Sequence, residues 1–306
     1  MEFFCILILA FLVFKGNVIQ IQAYDEIEST PIIEVSPNQP DLSNDLIEVI
    51  LSKAGFKTTK MAGQSRALMT ISGDAMRRIF QDRIIVIDPN RYYDGTYEYY
   101  NKGERYLEIA NYARLLSLFQ QFGGNTSRIH VYYGSMNDSV RSEINKNIIK
   151  KCANQLTELK ISTSDDTRIW EELSNENGSI FFPEVKKFKY LGPISRNSFD
   201  LNSIFPKLET FTLLGSVNDT NCLKNVKSLK ELTMSTSSIE EHQFDNIFAN
   251  NKQIYKLSLA TITRKTLGAI EKNLNNLKTL KVKYVCREFF IRPTNETNIY
   301  NLESIL

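Results

Sequence analysis

Histidine is nearly absent: the 306 residues include only His130 and His242. Neither lies in a recognisable nucleophile or metal motif, which removes the commonest routes to acid-base and metal-assisted chemistry. Cysteine is almost as scarce. Cys5, Cys152, Cys222 and Cys286 fall singly, with no C-x-x-C pair and no histidine at ligand spacing, so they read as isolated thiols rather than as a disulfide framework or a zinc site. Charge of one sign is missing too. With 37 basic and 35 acidic side chains the formal charge is +2, so no global field points to nucleic acid or to an acidic membrane. Neither G-x-G-x-x-G nor G-x-x-x-x-G-K-[ST] occurs, which weighs against a doubly wound nucleotide-binding fold. Asp165 and Asp166 read as a cap for a helix around Trp170, Glu171 and Glu172 as solvated charges, and Gly123–Gly124 as a helix C-cap or turn. No catalytic residue, metal ligand or cofactor is therefore nominated, and the expected class is a non-enzymatic binding protein.

The one long apolar run is Phe3 to Phe14. At about twelve residues it suits the core of a signal peptide and is too short for a membrane span. A cut after Gly16 or Ala23 would send the chain into the secretory pathway. Glu2, in place of a basic residue, fits instead an extension in front of a cytoplasmic protein. Sequons at Asn125, Asn137, Asn177, Asn218 and Asn295 occur at about the frequency expected by chance, so they do not decide between the two.

Behind this leader (1–23) and a polar, proline-containing linker (24–40) comes a helical region at 41–82. Leu46, Ile47, Val49, Ile50 and Leu51 form a helical stripe behind a cap at Ser43 or Asn44, and a second helix is expected at Gly73–Gln81. The stretch Gly55–Ser72 between them is weakly patterned. Residues 83–125 read as a connecting segment: a short strand at Arg83–Asp88, a tyrosine-rich loop, and a helix from Tyr106 to Phe122.

From residue 126 to 306 one phrase repeats, L-x-x-L-x-L. It appears as Leu156, Leu159, Ile161; Val185, Phe188, Tyr190; Leu208, Phe211, Leu213; Leu229, Leu232, Met234; Ile254, Leu257, Leu259; and Leu277, Leu280, Val282, with a degenerate copy at Ile129 and Val131 and a new start at Leu302 and Ile305. The first residues are spaced by 29, 23, 21, 25, 23 and 25, within the leucine-rich-repeat range. Each repeat offers one half-buried strand that only its neighbours can cover. Stacked, the strands make a parallel sheet, with helical returns at Val140, Ile144, Ile148 and Cys152; at Phe244, Ile247 and Phe248; and at Leu267, Ile270 and Leu274. The expected fold is an α/β solenoid, a leucine-rich-repeat horseshoe with a parallel concave sheet and a helical convex side behind a small helical region.

Alternation then fixes what faces outward. The expected concave face carries Arg128, His130, Tyr132; Glu158, Lys160, Ser162; Lys187, Lys189, Leu191; Thr210, Thr212, Leu214; Glu231, Thr233, Ser235; Lys256, Ser258, Ala260; and Thr279, Lys281, Lys283. Seven are basic and two acidic. His130 falls on an exposed strand position. This stripe fits an acidic protein partner, with Tyr132, Leu191 and Leu214 as apolar anchors. A single aromatic side chain makes it a poor stacking platform for nucleic acid. The competing reading is that the lysines are merely solvated.

The phrasing "LLSLFQQFGGNTSRIHVYYG", "IIKKCANQLTELKIS", "IFPKLETFTLLG" and "NLNNLKTLKV" resembles insect leucine-rich-repeat proteins with an amino-terminal F-box. "DLSNDLIEVIL" and "TISGDAMRRIF" resemble the opening and closing helices of that box, with Ser43 where the family usually has proline. The resemblance implies a substrate receptor of a cullin-based ubiquitin ligase, whose adaptor would meet Leu42, Leu46, Ile47, Val49 and Ile50. A secreted repeat protein with no ubiquitin role is the alternative. The leader favours it, and the lack of cysteine-rich caps speaks against it.

Overall fold

Two compact units, Met1–Ile79 and Phe80–Leu306, make up the chain. The computed structural model describes residues 43–88, 96–134, 136–164, 169, 181–194, 200–216, 220–235 and 239–285. Leu42, Cys5, Cys286, Asp165, Asp166, Trp170, Glu171, Glu172, the leader, the linker and the repeat start at Leu302 lie outside these residues.

In the first unit Ser43 caps helix α1 (Asn44–Ala54), its hydroxyl accepting from the Leu46 amide at 3.3 Å. Gly55, at φ +100°, ends that helix and opens α2 (Phe56–Ala62), which the sequence pattern does not disclose. The reason is local. This short helix is held by Phe56, buried, and by Thr59, whose buried hydroxyl reaches the Leu51 and Gly55 carbonyls, 2.8 Å from each. A hydroxyl that closes its own hydrogen bonds leaves no apolar period to read. Helix α3 (Met69–Asp82) is longer than the Gly73–Gln81 expected. Ile47, Leu51, Leu68 and Ala75 form the core, with Ala62 and Ile71 against it.

The second unit is an open ten-stranded sheet with the order β10-β9-β8-β7-β6-β5-β4-β1-β3-β2. Its strands are β1 (Ile84–Ile87), β2 (Thr96–Asn101), β3 (Glu104–Ile109), β4 (Arg128–Tyr132), β5 (Glu158–Ser162), β6 (Lys187–Leu191), β7 (Thr210–Leu214), β8 (Glu231–Met234), β9 (Lys256–Ile262) and β10 (Thr279–Val285). All neighbours are parallel except β2, which runs antiparallel to β3. This α/β architecture, mostly parallel with helices between strands, matches the coarse expectation.

Two local expectations fail in residues 83–125. The tyrosine-rich loop is instead a hairpin, and the helix placed at Tyr106–Phe122 begins only at Tyr112, capped by the Asn111 side chain 2.9 Å from the Arg114 amide. Lys102 and Gly103, at φ +49° and +86°, supply the two positive-φ residues of a tight hairpin turn. The flanking "TYEYYN" and "ERYLEI" are rich in residues that favour strands. Far from merely connecting, this segment adds three strands to the sheet.

One face of the sheet is the core. Ile129, Val131, Leu159, Ile161, Phe188, Tyr190, Phe211, Leu213, Leu232, Met234, Leu257 and Leu259 are all buried, each contributing about 1.5–3 kcal/mol. The returning segments bury apolar residues too: Ile144, Ile148 and Cys152; Phe244, Ile247 and Phe248; Ala269, Ile270 and Leu274. The first return is helical from Asp138 to Cys152, with a π-helical stretch at Asn145–Ile149, and the later ones are Glu241–Asn250 and Arg264–Asn273. Burial pushes the Cys152 thiol up to about 12, so it packs as an inert small hydrophobe. Phe188 stacks on Phe205 at 4.6 Å and on Phe211 at 5.5 Å, carrying packing from repeat to repeat.

Candidate binding face

Residues that alternate with this core form level rows across the opposite face. In the first row Arg128, Glu158, Lys187, Thr210, Glu231, Lys256 and Thr279 are successive register partners. The second runs His130, Lys160, Lys189, Thr212, Thr233, Ser258 and Lys281, and the third opens with Tyr132, Ser162, Leu191 and Leu214. Neighbours in a row lie about 4.8 Å apart, so each row presents its side chains as a ladder. Lys281 and Lys283 are exposed on β10, and Leu191 lies beside Leu214, which is 38% exposed.

The rows differ in electrostatics. The first alternates in sign and largely neutralises itself: Lys256 is 2.7 Å from Glu231, which also accepts from the Tyr255 hydroxyl at 3.1 Å. Hydrogen bonding to Lys256 holds the Glu231 carboxyl below its usual range. Arg128 pairs with Glu104 of β3 at 3.0 Å and donates to the Asp82 carbonyl. In the second row no acidic residue faces the lysines between β5 and β10: Lys160 and Lys189 stand at one end, Thr212, Thr233 and Ser258 in the middle, and Lys281 at the other end. The positive stripe is thus narrower than a residue count implies.

His130 is a correction. It is 8% exposed, because the sheet continues past β4 into β1 and β3, which flank and cover it. Its Nε2 lies 2.9 Å from a Glu158 carboxylate oxygen, and Tyr106 packs against its ring at 6.0 Å. Burial lowers the His130 pKa, and Lys160 and Lys189 lower it further against the opposing pull of Glu158. The neutral ring then donates to the carboxylate. Burial alone would raise Glu158, but the His130 hydrogen bond and the charges of Lys187 and Arg128 hold it below its usual range.

No family model and no curated protein matches this chain.

The face must therefore be read from its own chemistry. The hairpin brings three residues that spacing within the repeats could not reveal. Tyr99 and Tyr106 stack at 5.0 Å with planes 2° apart, and Lys102 of the turn lies within electrostatic reach of Lys189. The signal that could have found them is "NKGE" between two tyrosine-rich runs. Beyond this face, an open cavity of about 930 Å³ lies at the strand starts, lined by Lys186, Glu209, Lys230 and Tyr255 among others. Its charges are partly internal pairs, Lys207 with Glu184 at 2.6 Å and Lys230 with Glu209 at 3.1 Å. Among the described residues no three His, Cys, Asp or Glu side chains converge as metal ligands, and no helix is long and apolar enough to cross a membrane.

In the first unit Ile47 is buried, Val49 and Ile50 are half-buried, and Leu46 is 45% exposed. Of the four described residues proposed to meet an adaptor, Leu46 is the most exposed.

Proposed function

We propose that the second unit is a leucine-rich-repeat solenoid that binds a protein partner across the face of β4–β10, without chemistry of its own. The observation that carries this reading is the row Lys160–Lys189–Thr212–Thr233–Ser258–Lys281, a level ladder of lysines and hydroxyls on the six consecutive parallel strands β5–β10. Such a ladder, with Tyr132, Leu191 and Leu214 in the row beside it, offers charge and hydrogen bonds at regular spacing to an extended or helical acidic surface. Affinity capture with the wild-type chain and with T212E/S258E tests it. The variant places acid in the middle of the face and should lose the captured protein. Undiminished capture would overturn the reading.

The repeat phrasing and the two box-like helices favour a cytoplasmic substrate receptor of a ubiquitin ligase. Exposed Leu46, with half-buried Val49 and Ile50 on the same helix, supports an adaptor-binding role for α1. Co-precipitation of the ligase adaptor, reduced by L46E, is the expected result. A tagged chain recovered from the medium with its leader removed would instead support the secreted reading, in which the same face binds an extracellular protein.

A further inference from the structure

Two lysines stand side by side at one end of the face. Lys160 and Lys189 are register partners on adjacent parallel strands, so like charges stand about 4.8 Å apart at the backbone on one face. Both are half-buried. Lys160 and, less strongly, Lys102 of the β2–β3 turn repel Lys189, against a smaller pull from Glu158. Among the described residues none of the three has an ion-pair partner. The carboxylates nearby have other partners: Glu158 accepts from neutral His130 at 2.9 Å and feels the charges of Lys187 and Arg128, and Glu104 pairs with Arg128 at 3.0 Å. Lys160 donates to the Tyr132 hydroxyl, and its ammonium lies 4.4 Å from that ring's centroid, so it is held in place by uncharged groups. Crowded, partly desolvated ammonium groups are costly until an anion joins them.

We infer that Lys160 and Lys189 form an anion subsite that receives one acidic group of the docked protein, a side-chain carboxylate or a phosphate. This inference rests on the proposed docking role of the face and names what its partner must carry. Tyr106 packs against His130 of the same row, and burial and the neighbouring glutamates raise its phenol pKa, so its hydroxyl stays protonated. The rings do not offer a stacking platform. Tyr99 and Tyr106 cover each other, and Lys160 lies over Tyr132, so a nucleobase finds fewer open faces here than an acidic side chain finds donors.

The test is fluorescence anisotropy on the full chain with three labelled probes: a short glutamate-rich peptide, its glutamine counterpart carrying one phosphoserine, and an oligouridylate. At least one peptide should bind, and K160Q/K189Q should weaken it by about tenfold, as expected for lost charge-assisted hydrogen bonds. The charge-keeping K160R/K189R and the distant K281Q/K283Q should retain most of the affinity. Loss confined to the glutamate peptide assigns a carboxylate, and loss confined to the phosphopeptide assigns a phosphate. No binding of either peptide, equal binding by K160Q/K189Q, or tighter binding of oligouridylate than of both peptides would overturn the subsite. Its failure is separable from that of the docking reading: a partner lost by T212E/S258E but kept by K160Q/K189Q removes only the subsite, whereas a partner kept by both removes the docking face.

Discussion

Gly215 leaves no room for a side chain. At φ +150°, a Cβ built there would lie 2.2 Å from the Gly192 carbonyl oxygen, because the turns after β6 and β7 stack directly, with the Gly192 amide donating to the Leu214 carbonyl at 3.0 Å. Gly215→Ala should therefore cost at least about 1–3 kcal/mol of stability in urea unfolding. Gly268 makes the matched control. It sits in the helix Arg264–Asn273 with nothing within 4 Å of an added Cβ, so Gly268→Ala should stabilise by about 0.5–1 kcal/mol. At His130 the expectation concerns pH. Its folded pKa lies below the unfolded value of about 6.5, so the unfolded chain binds more protons and stability falls as pH drops through 6.5 towards the folded value. Glu158, also depressed, adds loss of the same sign at lower pH, below the ordinary carboxylate range. Thermal melts at pH 7.5 and 5.5 should show a larger drop for the wild type than for H130Q. Equal drops would show that His130 does not couple folding to protons in this window.

At the scale of elements, adjoining returns are tied by a buried side chain. The Asn251 amide group donates to the Leu223 and Ile247 carbonyls, 2.8 Å each, and its oxygen accepts from the Val226 amide at 3.0 Å. Asn251→Leu keeps the branched shape but orphans a carbonyl and an amide across the repeat boundary. It should cost about 2–4 kcal/mol in urea unfolding. What could be read beforehand follows the same physics. Strands β4–β10 were legible because each places two large apolar residues two apart, and their register made the outward rows legible too. Helix α2 was not, since Thr59 satisfies backbone carbonyls rather than filling an apolar period. The β2–β3 hairpin was hidden for a different reason. Its tyrosines carry no alternation strong enough to set against a helix, and only the Lys102–Gly103 turn distinguishes the two. Missing that hairpin is why His130 was expected on an open surface and why Tyr99, Tyr106 and Lys102 were not linked to the face.

For the whole second unit, the sheet separates an apolar core from a polar face whose net charge comes chiefly from one row. Docking through that row implies salt dependence. Raising ionic strength should weaken partner capture by the wild type, and by K160Q/K189Q less steeply, since exposed charges are screened over about 10 Å at moderate salt. Nearly neutral overall at +2, the chain can hold such a local field without a general affinity for polyanions. Site-specific photo-crosslinking examines the docking face most directly. A photoreactive amino acid would be placed at Thr212 or Thr233 on the face, and at Ala249, exposed on the return helix, as the reference. In cells, both face positions should form adducts with the same protein and Ala249 none. Adducts from Ala249 alone, or equally from all three positions, would contradict a binding role for this face.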